Sequence, residues 1–196
     1  MILGLTGGIA VGKSTVRECL ASQFLADVFD ADKCVHRLLD TDAGLGVEIG
    51  RLFGPEYLQS DGRPDRGALR GLVFKDADAR RRLETVLHPR VRAEWLAGRE
   101  RCLASGGHYL ADIPLLYETG AEPFFDVVLV VACSLATQMS RLRGRGLDSD
   151  TAQAMLASQL PLGQKVDRAS FVIWNDGTLA SLGRQIQLVT DQLFPV

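Results

Sequence analysis

A glycine-rich segment near the start of the sequence constrains the fold most strongly. Residues 7–14 read Gly-Gly-Ile-Ala-Val-Gly-Lys-Ser and match the pattern G-x-x-x-x-G-K-[ST]. An apolar run at residues 2–5 precedes this segment, and residues 14–25 follow it with apolar side chains spaced three and four apart. A loop between a strand and a helix can direct successive backbone N–H groups toward phosphate oxygens. The segment therefore predicts a nucleotide phosphate-binding loop, or P-loop.

The residues of this loop have distinct predicted roles. Lys13 would reach the β- and γ-phosphates of ATP, the Ser14 hydroxyl would bind Mg²⁺, and Thr15 would contact the α-phosphate. The partial positive charge at the start of the following helix would add to the attraction. The predicted nucleotide-binding residues of the loop are Gly8, Ile9, Ala10, Val11, Gly12, Lys13, Ser14 and Thr15.

Five short apolar runs along the chain predict β-strands. They lie at residues 2–5, 26–29, 109–111, 127–132 and 171–174. Most are continuously apolar, which is typical of strands covered on both faces, and helical patterns such as residues 178–194 alternate with them. We therefore predict an α/β fold, with a P-loop NTPase core built on a five-stranded parallel sheet.

Two long stretches between the predicted strands contain helical patterns and no convincing strand. The first predicts helices near residues 33–39, 67–74 and 88–103, and is a candidate substrate domain. The second is rich in arginine and is a candidate lid, with Asp148 or Ser149 as the N-cap of its second helix. The predicted division is a core of residues 1–31, 106–133 and 170–196, a helical substrate domain of residues 32–105, and a helical lid of residues 134–169.

Composition and charge exclude several other classes of protein. Of the 196 residues, 46% are hydrophobic and 23% are charged, and the net charge of −2 gives no reason to expect nucleic acid or an acidic membrane as a partner. The longest apolar run, residues 127–133, is far shorter than the ~20 residues that span a bilayer. Four widely spaced cysteines without a zinc-binding pattern, and the lack of a signal peptide, predict reduced thiols and a cytoplasmic location.

Three aspartates near the ends of predicted strands are candidates for acid–base chemistry and metal binding. Asp30 and Asp32 lie at the carboxyl end of the second strand, the edge at which α/β sheets bind ligands. If the strand continues, their side chains share a face; one would then accept the proton of an attacking hydroxyl and the other would hold Mg²⁺. Alternatively, Asp32 begins a helix and caps it. Asp112 follows the third strand, where other P-loop proteins carry an acidic residue that helps to hold Mg²⁺.

Three arginines in the second insertion could supply the positive charge that phosphoryl transfer requires. Arg141 and Arg145 lie four residues apart, so on a helix they would share a face, whereas Arg143 would point elsewhere. Such a segment could close over the triphosphate and exclude water, although a solvated basic helix is the alternative.

Motifs along nearly the whole chain resemble those of dephospho-CoA kinases. The resemblance begins with residues 4–15 and continues with Asp30-Ala31-Asp32 at the spacing usual in that family. The remaining matching positions are residues 65–69, 73–74, 83–84, 88–89 and 112–118, then Arg141, Gln159, Lys165 and residues 175–177. Several of these motifs are not shared with other P-loop kinases.

The resemblance implies that ATP phosphorylates the ribose 3′-hydroxyl of dephospho-CoA, which gives CoA and ADP in the last step of CoA synthesis. It also implies a P-loop core, a helical CoA domain and a lid, with Asp32 as the base and with Lys13 and Arg141 as further catalytic residues. The other implied contacts are Asp32, Arg66, His88, Asp112 and Leu115 for the substrate, Asn175 and Gly177 for adenine, and Ser14, Asp30 and Asp112 for Mg²⁺. His88, which precedes Pro89, could equally be a helix cap.

Two other functions compete with this interpretation. A different small-molecule kinase, acting on a nucleoside or a nucleotide, is compatible with the same P-loop because the choice of acceptor lies in the helical insertion. A regulatory GTP-binding switch is disfavoured, because such proteins usually read guanine through an Asn-Lys-x-Asp motif. Asn175 is the only asparagine in this sequence, and Asp176 follows it.

Overall fold

The computed structural model describes residues 1–24 and 26–194. Its strands are β1 (Ile2–Gly7), β2 (Asp27–Asp30), β3 (Tyr109–Asp112), β4 (Val127–Ala132) and β5 (Phe171–Trp174). Its α-helices are α1 (Lys13–Phe24), α2 (Ala31–Thr41), α3 (Ala43–Phe53), α4 (Arg66–Lys75), α5 (Ala77–Ser105), α6 (Leu135–Gly144), α7 (Ser149–Ala157), α8 (Leu162–Asp167) and α9 (Leu179–Leu193). Short 3₁₀ helices occur at Pro55–Tyr57 and Glu122–Phe124.

The five predicted strands are confirmed, and so is the parallel sheet. The strand order is β2-β3-β1-β4-β5, with β1 parallel to β3 and to β4, and β4 parallel to β5. The carboxyl ends of these strands therefore meet at one edge of the sheet, which is where ligands bind in this kind of fold. Leu25, the end of the predicted first helix, lies outside the described residues, and so do Pro195 and Val196 of the predicted core segment 170–196.

The core forms where the apolar strands meet the apolar faces of two helices. β1 and β4 are buried almost throughout, as their continuous apolar sequences predict. The side chains from α1 and α9 that join this core are Val16, Leu20, Leu182, Ile186 and Val189. The P-loop thus starts from a strand that is buried along its whole length.

The chain divides into two compact units. One consists of Met1–Phe29 with Gly98–Val196 and contains most of the sheet, and the other is the helical segment Asp30–Ala97. The division into core, substrate domain and lid proposed from the sequence draws finer boundaries and stays a prediction. Among the described residues, no helix is both long enough and apolar enough to cross a bilayer.

Helix α3 in the helical unit was not predicted. Its sequence, Ala-Gly-Leu-Gly-Val-Glu-Ile-Gly-Arg-Leu-Phe, contains three glycines, each of which lowers helix propensity. Packing overrides that cost, because Leu45 and Ile49 lie four residues apart and are fully buried. A Cβ atom on Gly46 would lie 2.6 Å from the carbonyl oxygen of Gly62, so glycine permits this close approach. The Asp42 side chain caps the helix by accepting from the Leu45 N–H at 3.0 Å.

Helix α5 starts at Ala77, well before the predicted start at residue 88. The Asp76 carboxylate accepts hydrogen bonds from the backbone N–H groups of Asp78 and Ala79, which satisfies donors in the first turn. Pro89 lies inside the helix. The interpretation of His88 as a helix cap is therefore wrong.

Strand β5 forms one edge of the sheet, and a side chain covers part of that edge. The Asn175 N–H donates to the carbonyl oxygen of Ala132 on the β4 side. Backbone groups alternate in direction along a strand, so those of Trp174 point outward. Gln185 of α9 binds both of them: its Oε1 accepts from the Trp174 N–H at 2.9 Å, and its Nε2 donates to the Trp174 carbonyl at 2.9 Å.

Candidate nucleotide-binding site

The P-loop connects the end of β1 to the start of α1 through a sharply curved backbone. Ala10 and Gly12 have positive φ angles, 60° and 89°. A Cβ atom on Gly7 would lie 2.4 Å from the Val131 carbonyl oxygen, and one on Gly12 would lie 2.3 Å from the Asn175 side-chain nitrogen. These glycines are required because the neighbouring atoms leave no room for a side chain. Ala10 adopts the left-handed backbone that L-residues seldom occupy, a kind of strain that occurs often at functional sites.

Lys13, Ser14 and Thr15 form the first turn of α1, as the motif predicts. Ser14 and Thr15 are exposed, so their hydroxyl groups are accessible to a ligand. The Lys13 ammonium forms an ion pair with Asp112, whose side chain is only 3% exposed. Asp112 is the last residue of β3, and its carboxylate lies at the carboxyl edge of the sheet. The structure therefore brings the predicted phosphate-binding lysine and the predicted acidic residue together.

Arg17 is a member of this cluster that the sequence interpretation missed. Its NH1 lies 3.1 Å from Oδ2 of Asp112, while Lys13 binds the other carboxylate oxygen. Lys13 and Arg17 are four residues apart on α1 and therefore lie on one face of the helix. This four-residue spacing was the sequence signal that could have identified Arg17 as a site residue. Asp112 consequently lies between two cations.

Arg141 and Asn175 contact the P-loop from α6 and from the end of β5. Arg141 NH1 donates to the Ala10 carbonyl at 3.1 Å, and its NH2 donates to the Asn175 carbonyl at 2.9 Å. Asn175 Nδ2 donates to the Val11 carbonyl at 2.8 Å. Both predicted residues are therefore at the P-loop. Helix α6 ends at Gly144 and Arg145 is its C-cap, so the shared face of Arg141 and Arg145 stays a prediction.

Gln138 and Lys165 also bind the P-loop, and neither was a predicted site residue. Gln138 Nε2 donates to the Ile9 carbonyl at 2.7 Å from a side chain that is almost fully buried. Lys165 is 0% exposed, and its ammonium lies 3.4 Å from the Gly7 carbonyl. The one available signal for Gln138 was its position three residues before Arg141, on the same face of α6. Lys165 stood out only as part of the family motif.

The surroundings of Lys165 explain how a buried ammonium is accommodated. Besides Gly7, its nitrogen donates to the Pro114 carbonyl at 2.9 Å and lies 2.8 Å from Glu118 Oε1. Burial lowers the pKa of Lys165, and the hydrogen bond to Glu118 opposes that effect. The Glu118 carboxylate also accepts from the Leu160 N–H at 2.9 Å. Glu118 therefore ties α8, through Lys165, and the segment before α8, through Leu160, to the turn that follows β3.

The segment between β5 and α9 contains the predicted adenine contacts. Gly177 is exposed, and Asp176 accepts hydrogen bonds from Ser134 and from the Trp174 indole. Hydrogen bonds from the Thr137 side chain, the Ser134 N–H and the Trp174 side chain lower the pKa of Asp176 to about 2. Asp176 therefore stays ionised and ties this segment to the start of α6.

Asp30 and Asp32 differ from the strand-based prediction. Strand β2 ends at Asp30 and α2 begins at Ala31, so the two carboxylates do not share the face of a continuing strand. The prediction that Asp32 caps a helix is also wrong, because the cap is Asp30, whose Oδ1 accepts from the Lys33 N–H at 3.0 Å. Asp32 lies in the first turn of α2, where a negative charge is stabilised by the helix dipole.

The predicted substrate residues occupy separate elements. Arg66 begins α4 and lies 3.3 Å from Asp40, with both side chains about half exposed. An open cavity of about 620 Å³ lies beside this pair in the helical unit. His88 is inside α5, and Leu115 follows β3 in a turn closed by the bond from the Thr119 N–H to the Leu115 carbonyl. Their contacts with a substrate stay predictions.

Comparison with known proteins supports the resemblance deduced from the motifs. A family model for dephospho-CoA kinase matches residues 1–181. A dephospho-CoA kinase from Anaeromyxobacter dehalogenans is 45% identical over 196 residues, covering 97% of this chain and 91% of that protein. A dephospho-CoA kinase from Campylobacter jejuni has a TM-score of 0.73 at 27% identity, covering 98% of this chain and 96% of that one.

A more distant structure shows similarity of fold alone. A deoxyadenosine kinase from M. mycoides has a TM-score of 0.57 at 13% identity, covering 98% of this chain and 99% of that one. The predicted P-loop kinase fold is confirmed by these structures, and the family resemblance is confirmed by the matches along the chain. The chain belongs to the dephospho-CoA kinase family.

Proposed function

We propose that the protein transfers the γ-phosphoryl group of ATP to the ribose 3′-hydroxyl of dephospho-CoA, giving CoA and ADP. This is the last step of CoA biosynthesis. The observation that carries the proposal is the Lys13–Asp112 pair at the carboxyl edge of the sheet, next to an accessible Ser14 and Thr15, in a chain that matches this kinase family along its length.

The P-loop is suited to hold the triphosphate. Its curved backbone can direct several N–H groups at phosphate oxygens, and the start of α1 adds a partial positive charge. Lys13 would exchange its contact with Asp112 for the β- and γ-phosphates. Arg141, already at the loop, would add charge that stabilises the transferring group. The rest of the predicted lid, residues 134–169, would close around the contacts that Gln138, Arg141 and Lys165 already make, and would exclude water.

The donor set also fits Mg²⁺. The described residues contain no group of three or more His, Cys, Asp or Glu side chains that could hold a metal by themselves. In kinases Mg²⁺ is held by one or two protein ligands together with phosphate oxygens. Ser14 and Asp112 would hold it here, with Asp30 as a further ligand. Bound Mg²⁺ would neutralise the charge that develops between the β- and γ-phosphates.

Asp32 is the proposed base. Because Asp30 uses Oδ1 to cap α2, Asp32 is the carboxylate of the pair whose role is not structural capping. The ribose oxygen would bond to the γ-phosphorus while the bond from that phosphorus to the bridging oxygen breaks. The hydroxyl proton would pass to Asp32 and ADP would leave.

Arg66, His88 and Leu115 would contact dephospho-CoA, with residues 32–105 as its binding domain. A cytoplasmic location belongs to the same proposal.

The test is ADP release with Mg-ATP, comparing dephospho-CoA with a panel of nucleosides and nucleoside monophosphates. We expect strong stimulation by dephospho-CoA alone, with one CoA formed for each ADP. Stimulation by a nucleoside would instead support a different P-loop kinase. Absence of stimulation by every acceptor would refute the kinase activity.

The assignment of the base has its own test. Asp32→Asn should leave ATP binding nearly unchanged and lower turnover by about 10²–10⁴, the usual range for a general base. Asp30→Asn, which keeps a side-chain oxygen to cap α2, is the variant for comparison and should lower turnover less. A larger loss of turnover in the Asp30 variant would show that the assignment is reversed.

A further inference from the structure

We propose that Gln138 is a positioning residue of the P-loop. Its side-chain amide holds the carbonyl of Ile9 on the outer side of the loop, which keeps the next N–H directed toward the phosphates. The inference rests on the proposed function only in taking the P-loop as the place where ATP phosphates bind.

The loop carbonyls are held by a set of four side chains from outside the loop. The donor–acceptor pairs are Lys165 with Gly7, Gln138 with Ile9, Arg141 with Ala10, and Asn175 with Val11. The donors come from α8, α6 and the end of β5. The outer surface of the loop is therefore bonded along most of its length.

Peptide geometry converts each of these bonds into a constraint on an N–H group. In a trans peptide the C=O of one residue and the N–H of the next lie in one plane and point in opposite directions. When Gln138 fixes the Ile9 carbonyl, it therefore fixes the Ala10 N–H. In the same way, the bond to Ala10 fixes the N–H of Val11, and the bond to Val11 fixes the N–H of Gly12.

Gln138 contacts the loop directly before a residue in a disfavoured backbone conformation. Ala10 has a φ angle of 60°, a conformation that its side chain disfavours, and the peptide held by Gln138 immediately precedes it. Packing is also tight, because a Cβ atom on Gly8 would lie only 2.8 Å from Gln138 Nε2. Gln138 and Arg141 lie three residues apart on α6, so a single helix face holds two successive loop carbonyls. A shift of α6 would therefore change the direction of two loop N–H groups together.

The experiment compares the wild-type protein with Gln138→Leu, which places an apolar side chain of similar size there and removes the donor. Gln192→Leu, on the exposed face of α9, is the matched control. ATP binding is measured by calorimetry without acceptor, and the Ile9 carbonyl and Ala10 amide NMR shifts are measured without nucleotide. Steady-state kinetics then separate KM for ATP, KM for dephospho-CoA and kcat.

We expect Gln138→Leu to weaken ATP binding by about twofold to tenfold, the worth of one hydrogen bond, and to raise KM for ATP but not for dephospho-CoA. The Ile9 and Ala10 signals should move, and those of the control should not. A merely structural role would lower the active fraction, and thus kcat, while leaving ATP affinity unchanged. Unchanged ATP affinity or unmoved Ile9 and Ala10 signals would overturn the proposal.

A second variant keeps the test decisive if the leucine variant does not fold. Gln138→Glu has the same shape but, when ionised, presents only acceptors to the Ile9 carbonyl, so it should weaken ATP binding more than leucine does. ATP affinity equal to that of the wild type in Gln138→Glu would again overturn the proposal. Because binding and NMR need no acceptor, these results stand apart from the test of dephospho-CoA as substrate.

Discussion

Two lysine–carboxylate pairs lie in the unit that contains most of the sheet. They differ in which partner, the lysine or the carboxylate, is more deeply buried. In the P-loop pair, Lys13 has a 14% exposed side chain and its partner Asp112 is 3% exposed. In the second pair, Lys165 is 0% exposed and Glu118 is 21% exposed. The chemistry is the same, but the environments are reversed.

The number of partners around each ammonium determines which lysine can exchange its carboxylate for a phosphate. Lys13 shares its carboxylate with Arg17, so Asp112 keeps a cation when the ammonium moves to a phosphate. The ammonium of Lys165 instead has two carbonyl oxygens and the Glu118 carboxylate around it, and so has three partners to lose. We expect the first pair to serve ligand binding and the second to serve folding.

The largest effect should come from breaking the buried pair. Lys165→Met keeps the length of the side chain but leaves the Glu118 carboxylate and the Pro114 carbonyl without this donor. We expect a loss of about 3 kcal/mol in the free energy of unfolding, at the lower end for a broken buried pair because Glu118 is partly exposed. Chemical denaturation measures it. A stability equal to that of the wild type would contradict the comparison.

Lys13→Ala should have the opposite profile. Turnover should fall by about 10²–10³, as for removal of one preorganised electrostatic contact, while the unfolding free energy changes little. The measurements are kcat with Mg-ATP and denaturation of the same preparation. A folded variant with near-normal turnover would refute the role of Lys13, and a strongly destabilised one would show that the two pairs are equivalent.

Glu118→Gln should change how the stability of the protein depends on pH. The pKa of Lys165 is lowered from its ordinary 10.5 in the folded protein, so between the folded and unfolded pKa values the unfolded chain binds more protons. Stability therefore rises with pH through that window. Without the carboxylate, burial lowers this pKa further and the window extends to lower pH.

The measurement is the unfolding free energy of wild type and Glu118→Gln at intervals from neutral pH toward pH 10. The variant should gain stability more steeply, by at most about 1.4 kcal/mol per pH unit for one proton. Parallel curves would show that Glu118 does not control the protonation of Lys165.

The strands and the P-loop could be predicted because their signals are local. Continuous apolar runs specified the strands, and one motif specified both the loop and Lys13. Helix α3 could not be predicted in this way, because its glycines oppose a helix and only the burial of Leu45 and Ile49 favours it. The predicted helix at residues 88–103 is too short because proline usually marks a helix start, whereas α5 continues through Pro89.

Site residues could be predicted where a characteristic residue type stands at a motif position or at a strand end. They could not be predicted where only tertiary packing brings the side chain to the site. Asp112 and Asn175 were expected and lie at the loop. Gln138 carries no charge and belongs to no recognised motif. Its position three residues before Arg141 was its one sequence signal, and its contact with Ile9 depends on the fold. The strand-based view of Asp30 and Asp32 failed because a helix cap at Asp30 ends β2, a local hydrogen bond that alternation alone does not predict.

The pairing of Gln185 with Trp174 has a consequence for how copies of the protein behave at high concentration. An uncovered strand at the margin of a sheet is a template onto which a strand of another molecule can add. The sequence Phe-Val-Ile-Trp of β5 is of the apolar, β-forming kind that favours such growth. Because the Gln185 amide already occupies the outward N–H and C=O of Trp174, it takes the place of an incoming strand there. That one side chain therefore occupies two of the backbone groups through which a strand of another molecule would pair with β5.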